Sequence, residues 1–273
     1  MTASGLPPAS VTVVGNATTI LRIGGFTLLT DPNFLPAGHR AYLGYGVWTR
    51  RRADPALTLA ELPPLDAVLL SHLHGDHFDR VARRGLARHL TVLAPPAAQR
   101  RLRQWGFRAA TGLGPWASHE LVRGAQLLRV TATPAYHGPR GLARLLPPTM
   151  GAIVELERDG QPLFRLYVSG DTLYRPGLAE IPRRYPEVDA MLLHLGGARA
   201  LGVPLSMDGR QGNLLTRLIR PRVTVPLHYH DYPAYRSPLG DYLREATRNG
   251  SVTRLLPLRR GETAELPVRA RSG

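Results

Sequence analysis

The sequence predicts a layered α/β sandwich, and three observations predict it. Short runs of β-branched and apolar residues crowd the first thirty positions. Strand-like and helix-like patterns alternate after them. Hydrophobic residues make up 43% of the 273 positions, enough for a chain of this length to bury a substantial core.

Taken in order, residues 11–14, 18–23 and 26–30 read as strands, with Gly24-Gly25 as the hairpin turn between the last two. Residues 66–71 form a short, almost continuous apolar strand. Residues 78–89 place Phe78, Val81 and Leu86 at helical spacing, and 97–105 read as a second short helix. Further strands are expected at 127–133, 152–157, 163–169, 188–193 and 223–227. Helices are expected at 212–219 and 239–247, the second ended by Asn249-Gly250. No repeat or low-complexity linker divides the chain. One domain over residues 11–268 is expected, with flexible ends at 1–10 and 269–273.

Composition narrows the function. There is no cysteine, which excludes disulfides and thiolate metal sites, so any metal must sit on His, Asp or Glu. The formal charge is +15, and all 35 basic residues are arginine. Such a surface attracts phosphates, acidic substrates or anionic lipid. The arginines are scattered and no aromatics interleave with them, so a nucleic-acid partner is not expected. No apolar run is long enough to cross a bilayer, and residues 1–10 lack a secretory signal; a cytoplasmic location is expected.

One pattern recurs where the chemistry should lie: a buried-type strand ends and a His or Asp follows. Residues 66–71 lead into His72, His74, Asp76 and His77. Residues 127–133 lead to His137, 163–169 to Asp171, 188–193 to His194 and 223–227 to His228. If these strands share a direction, their ligands collect at one rim. His72 and His74 are two apart, so an extended backbone points both the same way. Gly75 lets the chain bend, and Asp76 and His77 can then face a second metal. Alone, His137 could be an ordinary loop residue, Asp171 a turn or helix cap, and His228 has His230 as a rival. Together they make seven candidate donors, as two metals with open positions require.

These residues, in this order, resemble the metallo-β-lactamase superfamily. Leu29-Thr30-Asp31-Pro32 and the run from Leu62 to His72 resemble its branch containing N-acyl phosphatidylethanolamine-hydrolysing phospholipase D and the ascorbate 6-phosphate lactonases. The resemblance covers about Val11 to Tyr242. It implies a four-layer αββα sandwich with two divalent metals at one edge. His72, His74 and His137 would hold one, and Asp76, His77 and His228 the other, with Asp171 bridging. Zinc is the usual metal, and manganese or iron would suit the same donors. One departure stands out: the branch carries Gly-His near the N-terminus, where this chain has Gly15-Asn16.

The expected activity is hydrolysis of an ester, lactone or phosphodiester by a hydroxide held between the metals and oriented by Asp76 and Asp171. The expected substrate is a small or lipid-derived, anionic molecule. His194 is expected to touch substrate or donate a proton, and Asp31 to support a ligating His. Asp208 is a helix cap or a pocket residue, and Ser71 adjoins His72 only in sequence. Residues 33–57 are read as a substrate-facing flap, with Tyr45, Trp48 and Tyr136 as candidate walls. The competing readings are a metal-dependent oxidoreductase on the same fold and a non-catalytic member that binds an anionic ligand.

Overall fold

A computed structural model describes residues 9–43, 46–139, 146–200 and 202–269. The β-branched N-terminal runs form an antiparallel meander of β1 (Ala9–Gly15), β2 (Thr18–Ile23) and β3 (Phe26–Thr30). Its first strand starts two residues ahead of expectation, at Ala9. A small hairpin follows, β4 (Arg40–Tyr42) and β5 (Trp48–Arg50), inside the segment read as a long loop. Then β6 (Ala67–Leu69), α1 (Arg80–Gly85), β7 (Thr91–Ala94), α2 (Pro96–Gln104) and β8 (Ala110–Gly112) alternate, and the three strands continue the sheet parallel to β3.

The second half contains β9 (Ser118–Arg123), β10 (Gln126–Pro134), β11 (Met150–Arg158), β12 (Gln161–Val168), α3 (Glu180–Arg184) and β13 (Ala190–His194). After a short pair, β14 (Arg199–Ala200) and β15 (Val203–Pro204), come α4 (Gly209–Ile219), β16 (Val223–Leu227), α5 (Leu239–Arg248), β17 (Arg254–Leu255) and β18 (Thr263–Glu265).

Two seven-stranded sheets result, ordered β18-β1-β2-β3-β6-β7-β8 and β17-β16-β13-β12-β11-β10-β9. The chain's last strand thus returns to pair with its first. Alternation along each strand assigns side chains to layers. Leu28 of β3 faces the core between the sheets, and Leu29 faces the core beneath α1 and α2. In β13, Ala190 and Leu192 face the inter-sheet core, while Met191 and Leu193 pack against α3, α4 and α5. The layers are therefore helix, sheet, sheet, helix: the αββα sandwich.

Two elements are shorter than the sequence suggested. The helix expected at 78–89 covers only Arg80–Gly85, because Asp79 caps it by accepting from Ala82 N–H and Leu86 turns extended. The strand expected at 66–71 loses Ser71 from the ladder, because its N–H donates to Asp31 instead. Arg269, placed in the flexible tail, is anchored: its backbone N–H donates to Leu163 and its side chain pairs with Asp189 at 2.9 Å.

Candidate metal centre

Topology converts the recurring strand–ligand pattern into a site. β12, β13 and β16 are parallel, and β10 shares their direction because both it and β12 are antiparallel to β11. The carboxyl ends of β10, β12, β13 and β16 therefore deliver His137, Asp171, His194 and His228 to one rim. The loop after β6 brings His72, His74, Asp76 and His77 to meet them. All are buried. His228 sits at φ +63 and Asp31 at φ +35, left-handed conformations uncommon for such residues and a sign that the surrounding structure holds them in place.

The donors converge in overlapping groups, one of which brings Asp31 and His194 to His77. His72, His74 and His137 converge in one cluster; Asp76, His77 and His228 converge in another; Asp171 joins His72 and His77 in a third. Asp171 Oδ1 lies 3.5 Å from His77 Nε2 and 3.6 Å from His228 Nδ1.

Hydrogen bonds around the rings fix which nitrogens are free. His77 Nδ1–H donates to Asp31 Oδ2 at 3.0 Å. His228 Nδ1 is 3.2 Å from the carbonyl of Leu195 and donates to it. Each Nε2 is left facing the site, and the two Nε2 atoms stand 3.0 Å apart. His72 repeats the arrangement. Asp31 accepts from Ser71 Oγ at 2.9 Å, Ser71 Oγ lies 3.0 Å from His72 Nδ1, and His72 Nε2 faces His74 Nδ1 at 2.9 Å. Each pair needs a proton on one nitrogen or a metal ion between the two to stand at such distances. In addition His74 Nε2, both His137 nitrogens, Asp76 Oδ1 and Asp171 Oδ1 are buried without hydrogen-bond partners. Buried polar atoms are rarely left unsatisfied, so this donor set fits metal ions.

The electrostatics agree. Burial would push the carboxyls of Asp31 and Asp76 up, but His77 and its neighbouring histidines outweigh it and hold both at about 2. Asp171 is driven well below the usual range against its burial, chiefly by His228 and His77. Burial alone would push His77 down, yet Asp171, Asp31 and Asp76 hold its pKa well above that of a free imidazole. His228 is likewise raised against its burial by Asp171 and Asp76. By contrast, burial pushes His74 down to about 3 and also depresses His72 and His137. The ionised carboxylates and the neutral His72, His74 and His137 are in the protonation states that metal ligation requires, whereas His77 and His228 give up a proton when a metal binds.

Other sequence-level expectations divide. Asp31 does support a donor, His77. Ser71, set aside as a neighbour in sequence only, bridges Asp31 and His72. Asp208 caps α4 by accepting from Gln211 N–H at 2.9 Å. His230 is exposed and joins none of the clusters. His194 is fully buried, 3.5 Å from Asp31 and 3.2 Å from Ser169 Oγ. Tyr45 lies outside the described residues, and Tyr136 packs in the core beside α3. Trp48 lines a cavity of about 290 Å³ with Tyr42, Leu73, Phe78 and Trp105, which contains none of the seven donor side chains. The segment 33–57 is pinned at several points. Tyr42 O accepts from Gly75 N–H, a Cβ on Gly75 would come within 2.7 Å of Tyr42 N, and Arg51 is buried against Asn33 O and Leu35 O.

Two residues escaped sequence reasoning. Tyr235 OH lies 2.7 Å from Asn16 Oδ1, 2.8 Å from His228 Nε2 and 3.1 Å from Asp76 Oδ2. Asp231 accepts from Asn16 N–H at 2.6 Å, beside the buried Arg51 and the half-buried Arg260. Neither belongs to a motif; the only available signal was their place in the loop that follows His228.

An αββα sandwich with a His/Asp cluster at its strand ends defines the metallo-β-lactamase fold. The family model described as the beta-lactamase superfamily domain matches residues 28–229. The chain belongs to that superfamily and is a metal-dependent hydrolase within it. It is 30% identical over 258 residues to a UPF0173 metal-dependent hydrolase of Deinococcus radiodurans, covering 93% of this chain and 97% of the relative. The isothiocyanate hydrolase from Delia radicum gut bacteria shares the fold with a TM-score of 0.77 at 21% identity, over 93% of this chain and 98% of that one. Igni18, a metallo hydrolase from Ignicoccus hospitalis, superposes with a TM-score of 0.69 at 24% identity, over 94% and 98% of the two chains. Among the described residues no helix is long and apolar enough to cross a membrane.

Proposed function

We propose that this chain is a binuclear hydrolase that cleaves an ester, lactone or phosphodiester bond in a small anionic substrate, with zinc as its metal. The observation that carries the reading is the pair of facing ring nitrogens in each set, His72 with His74 and His77 with His228, at 2.9 and 3.0 Å. His72, His74 and His137 would hold one ion; Asp76, His77 and His228 the other; Asp171 would serve both. When bound, the metals supply an acidified water and Lewis-acid polarisation of the scissile bond. The chain's own groups do the rest. Asp76 and Asp171 accept hydrogen bonds from the attacking water and orient it. Asp31 holds the His77 tautomer. His194 stands beside Asp31 at 3.5 Å and touches substrate or donates a proton in this reading. The net charge of +15 favours an anionic substrate. Within the superfamily the resemblance of Leu29-Thr30-Asp31-Pro32, at the end of the third strand, supports the branch named above, and Asp31 of that run is the partner of His77.

The test is elemental analysis of purified protein alongside an assay panel of phosphodiesters, lactones and thioesters. Two equivalents of divalent metal, hydrolysis of one panel class and its loss on chelation are expected. Full activity in verified metal-free protein overturns the reading. Redox-active metal alone, with oxygen consumption, would favour the oxidoreductase.

A further inference from the structure

We propose that Tyr235 is an additional ligand to the metal held by Asp76, His77 and His228, aimed there by Asn16. The inference rests on the metal-centre reading above. The phenol oxygen stands 2.8 Å from His228 Nε2 and 3.1 Å from Asp76 Oδ2, and those two atoms are themselves 3.4 Å apart. Donors around one ion with bonds of about 2.0–2.2 Å stand about 2.8–3.6 Å from each other, depending on whether the surroundings are octahedral or tetrahedral. The Tyr235 oxygen therefore stands from both atoms at separations that donors to one ion would have.

Hydrogen bonding supplies the orientation. The phenol has three acceptors within reach and one proton. His228 Nε2 and Asp76 Oδ2 are the atoms a metal would take. The proton then belongs to Asn16 Oδ1 at 2.7 Å, which turns the oxygen lone pairs towards the ion. Asn16 cannot flip its amide without loss. Its Nδ2 donates to the backbone carbonyl of Asp76 at 2.7 Å, and its backbone N–H is held by Asp231. Its φ of +53 is a conformation Asn tolerates better than most residues. This also gives the Gly15-Asn16 departure a role: an amide oxygen here accepts the tyrosine proton and leaves the tyrosine oxygen free. The ring is buried between His228, at 4.4 Å centroid separation, and Tyr232, and its hydroxyl points at the three acceptors named above.

The test reads coordination directly. Iron(III) displaces the proton of a bound phenol to solvent, and the resulting phenolate absorbs strongly in the visible, whereas imidazole and carboxylate ligands do not. Protein loaded with iron(III) should show this band, and Tyr235→Phe with the same iron content should lose it. In a competition titration with zinc, Tyr235→Phe should weaken one of the two equivalents by about tenfold and spare the other. Wild-type protein that holds iron(III) without the band, a band that persists in Tyr235→Phe, or two unchanged zinc affinities would each overturn the assignment. If Tyr235→Phe does not fold, the wild-type spectrum alone decides. Wild-type protein that binds no metal at all refutes the metal-centre reading instead.

Discussion

The two halves of the candidate centre are built differently. Asp76, His77 and His228 are held from outside by Asp31, the Leu195 carbonyl, Tyr235 and Asn16. In the other half, Ser71 braces His72, but His74 Nε2 and both nitrogens of His137 have no partner. The charge differs in the same way. His77 and His228 are pushed towards the protonated state, and the three histidines of the other set towards the neutral one. The comparison teaches that one half is organised before any metal arrives, with a proton able to stand in for the ion. The other half depends on the metal to satisfy its nitrogens.

The largest effect should come from Asp171, the donor proposed to serve both halves. Asp171→Ala should lose both metals and lower turnover by more than the about 100-fold expected for an outer partner, measured by metal content and steady-state rate. If one full equivalent of metal survives unweakened, Asp171 does not bridge the sets. Asp31→Ala comes next. It should weaken metal binding at the His77 half by about 10- to 100-fold while the His72 half changes less, read by competition titration. Equal losses on both sides would erase the asymmetry.

Acidity gives a third way to probe the comparison, using metal-free protein. His72, His74, His137 and His194 have depressed folded pKa values, so their contribution is full above the unfolded value of 6.5. It is lost as pH falls, down to about 3 for His74, because the unfolded chain takes up protons first. His77 and His228 are raised, so their contribution is full below 6.5 and lost as pH rises through their folded values. Denaturant midpoints of metal-free protein should therefore peak near 6.5. Zinc should raise the midpoint and move the alkaline limb most, since it replaces the proton in the His77 half. A flat profile would show that the two halves do not differ in protonation. The smallest effect is expected from Ser71→Ala. It removes the one outer support of the His72 half and should cost less than Asp31→Ala, under about tenfold in metal affinity. A larger loss would mean that Ser71 acts mainly through Asp31.

The seven donors could be read in the sequence because each follows an apolar strand and because His72-x-His74-x-Asp76-His77 is dense and local. Most strands were readable for the same reason: Ile20/Leu21 and Leu28/Leu29 are buried on both faces and form unbroken apolar runs. Thr91–Ala94 and the Arg40–Tyr42 hairpin strand are only four and three residues long, too short to carry a period, and become strands only by pairing with neighbours. Tyr235 and Asp231 had no local signature, since their partners, Asn16 and Asp76, are over 150 residues away. The sequence by itself determined which residue types are offered for a metal and that they follow the ends of strands. Only the tertiary structure decided which nitrogen of each ring is free, because that depends on what the other nitrogen touches: Asp31 for His77, the Leu195 carbonyl for His228, and Ser71 for His72.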